Sequence, residues 1–166
     1  MRIDLDEFER RVRSLSPQEL GYIAGIIDGE GCITARNDPG IRDGRKWWGY
    51  VAITNTDPRM LLWIQQRVGG VINDQRNDRT IAKNGKPHKR CYTLRFPMRQ
   101  AERLLLVIGP LLVVKRDQAE LFCAFLSLLG KANGPRKLTD EQMGARNVII
   151  SQLHDLKRME YPHGTQ

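Results

Sequence analysis

Hydrophobic residues recur at intervals of three and four in six segments of the chain, and this spacing predicts six helices. The clearest helix begins at Pro17, where Ser16 and Glu19 have the spacing of a capping box. It ends in Gly29-Glu30-Gly31, because glycine commonly terminates helices. The other helices are predicted at residues 4–14, 58–68, 97–108, 111–129 and 139–159.

Four segments are predicted as strands, because apolar and polar residues alternate within them and turn-forming residues separate them. They cover residues 32–36, 46–54, 71–76 and 89–96, and Asn84-Gly85 marks the turn of the second pair. The order is helix, two strands, helix, two strands and further helices. Strand pairs joined by turns form an antiparallel sheet, so we expect an α+β fold with helices on one face.

The 166 residues predict one domain over 1–166, with an N-terminal helical extension at 1–15 and a C-terminal helix at 138–160. Hydrophobic residues make up 40% and charged residues 28%, as in globular proteins, and no apolar run of about 18 residues could span a membrane. Three scattered cysteines, Cys32, Cys91 and Cys123, argue against a disulfide framework and a CxxC zinc site. Acidic residues near the start argue against a signal or transit peptide. We therefore expect a reduced, intracellular protein, cytoplasmic in a prokaryote or organellar.

Charge is distributed unevenly along a chain whose formal net charge is +8. Residues 1–30 hold 4 basic and 7 acidic side chains, whereas residues 73–103 hold 9 basic and 3 acidic ones. A basic middle segment favours a polyanion such as nucleic acid. The alternative is a solvated basic loop.

The helix that begins at Pro17 ends in an unusual way. Gly21 and Gly25 each weaken a helix by about 1 kcal/mol relative to alanine, and their spacing leaves a flat stripe for close helix packing. Asp28 and Glu30 stand at the C-terminus, where the helix dipole disfavours acids. Carboxylates beside free carbonyls favour a hard divalent cation such as Mg²⁺. The alternative is a glycine cap with acids that face solvent.

The segment IAGIIDGEG, at residues 23–31, resembles the nine-residue signature of the LAGLIDADG homing endonucleases. The predicted order of elements also resembles the αββαββα fold of that family. One copy of the motif is present, and single-motif members are homodimers whose motif helices pack along the two-fold axis. The resemblance therefore implies a homodimer with Gly21, Ala24, Gly25 and Asp28 at its interface.

The resemblance also implies a set of active-site residues. Glu30 and the carbonyl of Gly29 would bind the catalytic Mg²⁺, for which Mn²⁺ can substitute, although many members have Asp where this chain has Glu30. The residue at the position of Asp28 more often has a structural role in the family, because it caps or orients the helix end. Asn55 and Arg59 match polar positions near the active-site water network, and Lys115 matches a lysine that approaches the scissile phosphates. The alternatives are a turn residue for Asn55, a solvated charge for Arg59 and a helix-surface lysine for Lys115.

Alternation along the strands predicts which side chains leave the helix layer and face outward. Such polar and aromatic side chains can read base edges in the major groove, and lysines in the following loop can contact phosphates. The predicted DNA-binding residues are Thr34, Arg36, Lys46, Trp48, Tyr50, Thr54, Asn73, Gln75, Arg76, Lys86, Lys89, Cys91, Thr93 and Arg95. The alternative is a solvated polar face, which is common in antiparallel sheets.

Motif, charge and element order together predict a Mg²⁺-dependent homing endonuclease that cuts double-stranded DNA at a long pseudo-palindromic site and is encoded by an intron. We expect no organic cofactor and no membrane partner. Two alternatives on the same fold are an RNA maturase that assists intron splicing and a catalytically silent DNA-binding regulator. Intact Glu30, Asn55 and Lys115 argue against the silent regulator, whereas the residues leave the maturase open.

Overall fold

The computed structural model of the protein describes residues 4–38, 46–75, 89–129 and 139–158. In these residues six helices and four strands follow one another along the chain. They are α1 (Leu5–Arg13), α2 (Pro17–Glu30), β1 (Gly31–Asp38), β2 (Lys46–Asn55), α3 (Pro58–Val68), β3 (Val71–Gln75), β4 (Cys91–Pro97), α4 (Met98–Ile108), α5 (Arg116–Leu129) and α6 (Asp140–Leu156), with a short 3₁₀ turn at Gly109–Leu111. None of the helices in these ranges is long and apolar enough to cross a membrane.

The four strands form one antiparallel sheet in the order β1-β2-β4-β3. Alternate residues of β1 and β2, namely Ile33, Ala35, Val51 and Ile53, are fully buried against the helices. This burial confirms the predicted α+β fold and the predicted inward face of both strands. The opposite face carries the polar and aromatic positions of the same strands.

The first helix belongs to the main hydrophobic core. Phe8 and Val12 of α1 are fully buried, and the ring of Phe8 meets Phe96 of β4 edge-on at 5.9 Å between centroids. Glu9 forms an ion pair with Arg103 of α4 at 3.0 Å. The segment predicted as an N-terminal extension is therefore packed on the domain through apolar and charged contacts.

Helix α5 begins later than the sequence pattern predicts. Residues from 111 onward were expected to be helical, but a 3₁₀ turn occupies Gly109–Leu111, Leu112 is extended, and the helix begins at Arg116. The apolar residues of this connection do not all enter the core, since Val113 is 83% exposed and Val114 is 55% exposed. Lys115 therefore lies at the helix N-terminus, on the connection that leads into it.

Candidate active site and nucleic-acid interface

Helix α2 delivers Glu30 directly to one end of the sheet. The capping box predicted at Ser16 and Glu19 starts the helix, Glu30 is its last residue, and Gly31 is the first residue of β1. A Cβ atom on Gly31 would lie 2.5 Å from the carbonyl oxygen of Ile27, so only glycine fits this sharp turn without displacing the helix. The Glu30 side chain is exposed at the turn.

The Asp28 carboxylate binds the connection that leads into α5. Its oxygens accept hydrogen bonds from the backbone N–H groups of Val113 at 2.7 Å, Val114 at 3.2 Å and Lys115 at 2.9 Å. The Lys115 ammonium in turn donates to the backbone carbonyl of Asp28. These bonds hold Lys115 beside Asp28, which is two residues before Glu30 at the end of α2. The predicted structural role of Asp28 at a helix end thus consists of fixing the connection that leads into a different helix.

The residues predicted at a dimer interface fall into two groups. Gly21 and Gly25 are exposed, and a Cβ atom on either would meet no other atom within 4 Å. Ala24 is only 1% exposed, because it faces the core of its own chain, and it therefore leaves almost no surface for a partner. The Asp28 carboxylate is engaged by three backbone N–H groups of its own chain. The predicted interface roles of these four residues stay predictions.

Asn55 lies at the same end of the sheet as Glu30. Gly31 of β1 pairs with Ile53 of β2, and Asn55 is the last residue of β2, two positions further along. The Asn55 side-chain oxygen accepts a hydrogen bond from the Asp57 backbone N–H at 2.9 Å. In the free chain Asn55 therefore stabilises the turn before α3, which is the alternative role considered for it.

Arg59 is bound to a local partner in the free chain. Its Nε donates to the Asp57 carboxylate at 3.0 Å, while the same carboxylate accepts the Arg59 backbone N–H as the N-cap of α3. The side-chain bond from Arg59 is the main reason that the pKa of Asp57 falls to about 2. The Arg59 side chain is 88% exposed, so it is free to turn towards a ligand. The predicted catalytic roles of Asn55 and Arg59 stay predictions.

The C-terminal end of α2 has two oxygen donors that could bind a metal ion. Glu30 supplies one exposed carboxylate, and the adjacent carbonyl of Gly29 belongs to the last turn of α2, where carbonyls lack helical partners. Within the described residues no three His, Cys, Asp or Glu side chains cluster in a way that could hold a metal ion. This donor set fits Mg²⁺, which takes one or two carboxylates and completes its shell with water and phosphate oxygens.

The outer face of the sheet carries a stack of cationic and aromatic side chains. The Arg36 guanidinium lies 3.7 Å from the centroid of the Trp48 ring, and the Trp48 and Tyr50 rings stack at 5.4 Å with 21° between their planes. The Arg95 guanidinium lies 4.3 Å from the centroid of Tyr50. Strand alternation predicted each of these residues on the outer face. The contact between Tyr50 and Arg95 could not be predicted from the sequence, because β2 pairs with β4 rather than with its chain neighbour β3.

The other predicted DNA-binding residues differ in how accessible they are. Asn73 and Lys89 are exposed, whereas Thr34 and Cys91 are half-buried. Thr93 is only 3% exposed on the central strand β4, and its hydroxyl forms a 2.9 Å hydrogen bond with that of Thr54. Thr93 therefore has little surface for a base and instead holds the exposed Thr54. Arg76, Lys86 and the side chains of Lys46 and Gln75 lie outside the described residues.

No protein-family model and no curated protein matches this sequence. Solved structures do resemble the fold. The homing endonuclease I-CvuI, solved with its target in the presence of Ca, gives a TM-score of 0.65 at 19% identity and matches 90% of this chain and 87% of its own. The archaeal intron-encoded homing endonuclease I-Vdi141I, complexed with DNA, gives 0.66 at 17% identity, with 89% of each chain covered.

A third structure, the homing endonuclease I-TnaI, gives a TM-score of 0.60 at 20% identity and covers 87% of this chain and 95% of its own. The same arrangement recurs in I-LtrWI, a LAGLIDADG homing endonuclease bound to target DNA. At such identities the likeness establishes the fold. The fold predicted from IAGIIDGEG and the order of elements is therefore confirmed.

Proposed function

We propose that this protein is a divalent-metal-dependent, site-specific endonuclease for double-stranded DNA and that it acts as a homodimer. The observation that carries the proposal is the position of Lys115 beside the end of α2 that bears Glu30, at one end of the sheet. Asp28 brings them together with four hydrogen bonds, three through its carboxylate and one through its carbonyl. The outer face of the same sheet presents the cationic and aromatic side chains that contact bases and phosphates.

The proposed roles follow from the donors available at this end. Glu30 and the carbonyl of Gly29 would hold the metal, which when bound polarises a phosphate oxygen and activates water. The Lys115 ammonium can turn from the Asp28 carbonyl to a phosphate oxygen. There it can stabilise the negative charge that develops as the P–O bond breaks. Asn55 retains its amide N–H₂ group, which can orient the attacking water. Hydrolysis by this set requires no covalent protein intermediate.

Double-strand cleavage would require two such sites, and the described residues of one chain supply one, so the proposal includes a homodimer. The exposed face of α2 bears Gly21 and Gly25, which leave room for a second helix. Val113 and Val114 lie beside this face, held by Asp28, and expose apolar side chains. Bare backbone next to exposed valines is suited to association through this face.

The test is cleavage of a randomised pool of duplex DNA, with sequencing of the cut ends, in Mg²⁺ and in EDTA. We expect a defined family of sites to be cut in Mg²⁺ alone. In Glu30→Gln we expect cleavage to be lost while binding to those sites stays within about tenfold, since Glu30 is not on the outer face of the sheet. Glu120→Gln, an exposed carboxylate on α5, is the matched control and should cut normally.

The outcomes separate the alternatives. Normal cutting by Glu30→Gln in Mg²⁺ would disprove the proposed active site. Selective binding without cleavage by the wild-type protein would indicate the DNA-binding regulator. Failure to select any duplex, together with tight binding of structured intron RNA, would indicate the maturase.

A further inference from the structure

The stack on the outer face of the sheet crosses three strands. Arg36 is on β1, Trp48 and Tyr50 are on β2, and Arg95 is on β4. Arg36 lies directly opposite Trp48, whereas Arg95 pairs with Ala52, two residues beyond Tyr50. The four side chains therefore run diagonally over the sheet, with a guanidinium at each end and two aromatic rings between them.

Each guanidinium lies over an aromatic ring, with Arg36 at 3.7 Å from the centroid of Trp48 and Arg95 at 4.3 Å from the centroid of Tyr50. An arginine stacked on a ring keeps its N–H donors free in the plane of the guanidinium. Among the described residues no carboxylate forms an ion pair with Arg36 or Arg95, whereas the helix arginines Arg10, Arg13, Arg67 and Arg103 each have such a partner. Nε of Arg95 is buried without a hydrogen-bond acceptor, so the donors that Arg95 can offer a ligand are those of its terminal N–H₂ groups. Both groups therefore retain in-plane donors for a ligand.

We infer that the stack is a preorganised reading unit for two guanines in each half of the DNA target; this inference rests on the proposed function. Guanine presents two acceptors, O6 and N7, in the major groove, and one guanidinium can bind both with parallel N–H bonds. The rings hold each guanidinium in place before DNA arrives, which reduces the side-chain freedom lost on binding. Lysine at either position would keep the charge but lose both the stacking and the paired donors.

The geometry also sets the spacing of the two guanines. Arg36 is level with Trp48 and Arg95 is level with Ala52, so four residues of β2 separate the two levels. Strand residues rise about 3.3 Å each, which gives about 13 Å. Base pairs in B-DNA rise about 3.4 Å, so the two guanines should lie about four base pairs apart. Arg95 should read the base nearer the scissile bond, because its level is closer to the sheet end that bears Glu30.

The experiment is selection of bound duplexes from a randomised pool in EDTA, where cleavage cannot occur, followed by sequencing. For the wild type we expect guanine at two positions about four base pairs apart in each half-site. Arg36→Lys should reduce the preference at the outer guanine at least about fivefold, and Arg95→Lys should do the same at the inner one. Arg10→Lys, an exposed arginine on α1, is the matched control and should leave the selected sequence unchanged.

Trp48 is tested as a positioning residue, because Trp48→Leu keeps Arg36 but removes the aromatic ring on which it lies. We expect Trp48→Leu to weaken the preference for the outer guanine and to leave the preference for the inner guanine intact. Trp48→Phe, which keeps an aromatic ring, should restore the preference for the outer guanine. Uniform loss of affinity in Arg36→Lys, with no change in base preference, would show a phosphate contact and overturn the inference. Enriched sites with other bases at these positions would overturn it and leave the proposed function standing. No enrichment of any duplex would overturn both.

Discussion

The carboxylate of Asp28 joins two segments that are at least 85 residues apart in the sequence. The resemblance to the motif predicted a structural role for this residue at a helix end. The partners could not be predicted, because Val113 and Val114 belong to an apolar run that has the pattern of a helix interior. A polar contact between distant segments leaves no periodic signal in either of them.

We expect Asp28→Ala to lower the free energy of unfolding by about 1–3 kcal/mol, because the backbone N–H groups of the connection before α5 lose a charged acceptor. DNA cleavage should fall more than DNA binding, since Lys115 would no longer be held beside Glu30. Urea unfolding and single-turnover cleavage measure the two effects. Asp28→Asn keeps one acceptor oxygen and should be intermediate in both. Wild-type stability and wild-type cleavage in Asp28→Ala would contradict the role of Asp28 in holding the connection before α5.

Gly31 was predicted to end α2, and the structure gives a different physical reason from the usual one. Its φ of −78° and ψ of 152° are extended values that any residue adopts, so a left-handed conformation is not the cause. Glycine is required because a Cβ atom would lie 2.5 Å from the Ile27 carbonyl oxygen. This close approach lets β1 begin directly after Glu30, and sequence alone could not distinguish it from an ordinary glycine cap.

The start of α5 shows where element prediction failed. Glycine and proline at 109–110 predict a break in the chain, and the apolar residues directly after them predict that a helix begins at once. In the structure the side chains of Val113 and Val114 are exposed, and the backbone N–H groups of this connection bind Asp28. The helix begins where these bonds to another segment end, which the local pattern could not indicate.

The N-terminus of α3 provides a pH-dependent element. Arg59, through its side chain first and its backbone N–H second, lowers the pKa of Asp57 from 3.8 to about 2. The ionised form is the one that caps α3, so its stabilising effect is fully present above about pH 4. It is lost as the pH falls through about 2, where Asp57 becomes protonated in the folded chain.

An NMR titration of the Asp57 carboxyl should therefore give an apparent pKa near 2 in the wild type. In Arg59→Ala the side-chain donor is lost and only the backbone N–H remains, so the pKa should rise towards its ordinary value without reaching it. High salt should produce a smaller rise in the same direction, because both groups are solvent-exposed. A pKa that is the same in both proteins would show that Arg59 does not bind Asp57 in solution.

For the molecule as a whole, the sequence predicted the order of elements and the inward face of β1 and β2, because both depend on local periodicity. The order of strands in the sheet and the contact between Tyr50 and Arg95 could not be predicted, because both depend on pairing between distant segments. The same limit applies to α1, which looked like a charged extension yet buries Phe8 and Val12 completely. The residues that resist prediction are those whose partners come from distant segments.

The proposed double-strand cleavage depends on the proposed association of two chains through α2, and Gly25→Leu tests that association. In the single chain a Cβ atom at Gly25 would meet no neighbouring group within 4 Å. Leucine is also a better helix former than glycine, by somewhat less than the roughly 0.8–1 kcal/mol that separates alanine from glycine. The mutant chain should therefore fold at least as stably as the wild type. A two-fold contact repeats each residue, so one substitution places two leucines between the helices, and overpacking costs about 1–3 kcal/mol at each site.

We expect Gly25→Leu to sediment as a folded monomer that does not cut DNA, whereas the wild type sediments as a dimer. Gly144→Leu is the matched control, because Gly144 is an exposed helical glycine on α6 that also has no atom within 4 Å of a Cβ position. It should remain an active dimer. A wild-type protein that stays monomeric at high concentration and on its target would refute the homodimer. A fully active dimer of Gly25→Leu would place the interface elsewhere, since the only change at that surface is a side chain too large for two helices in contact.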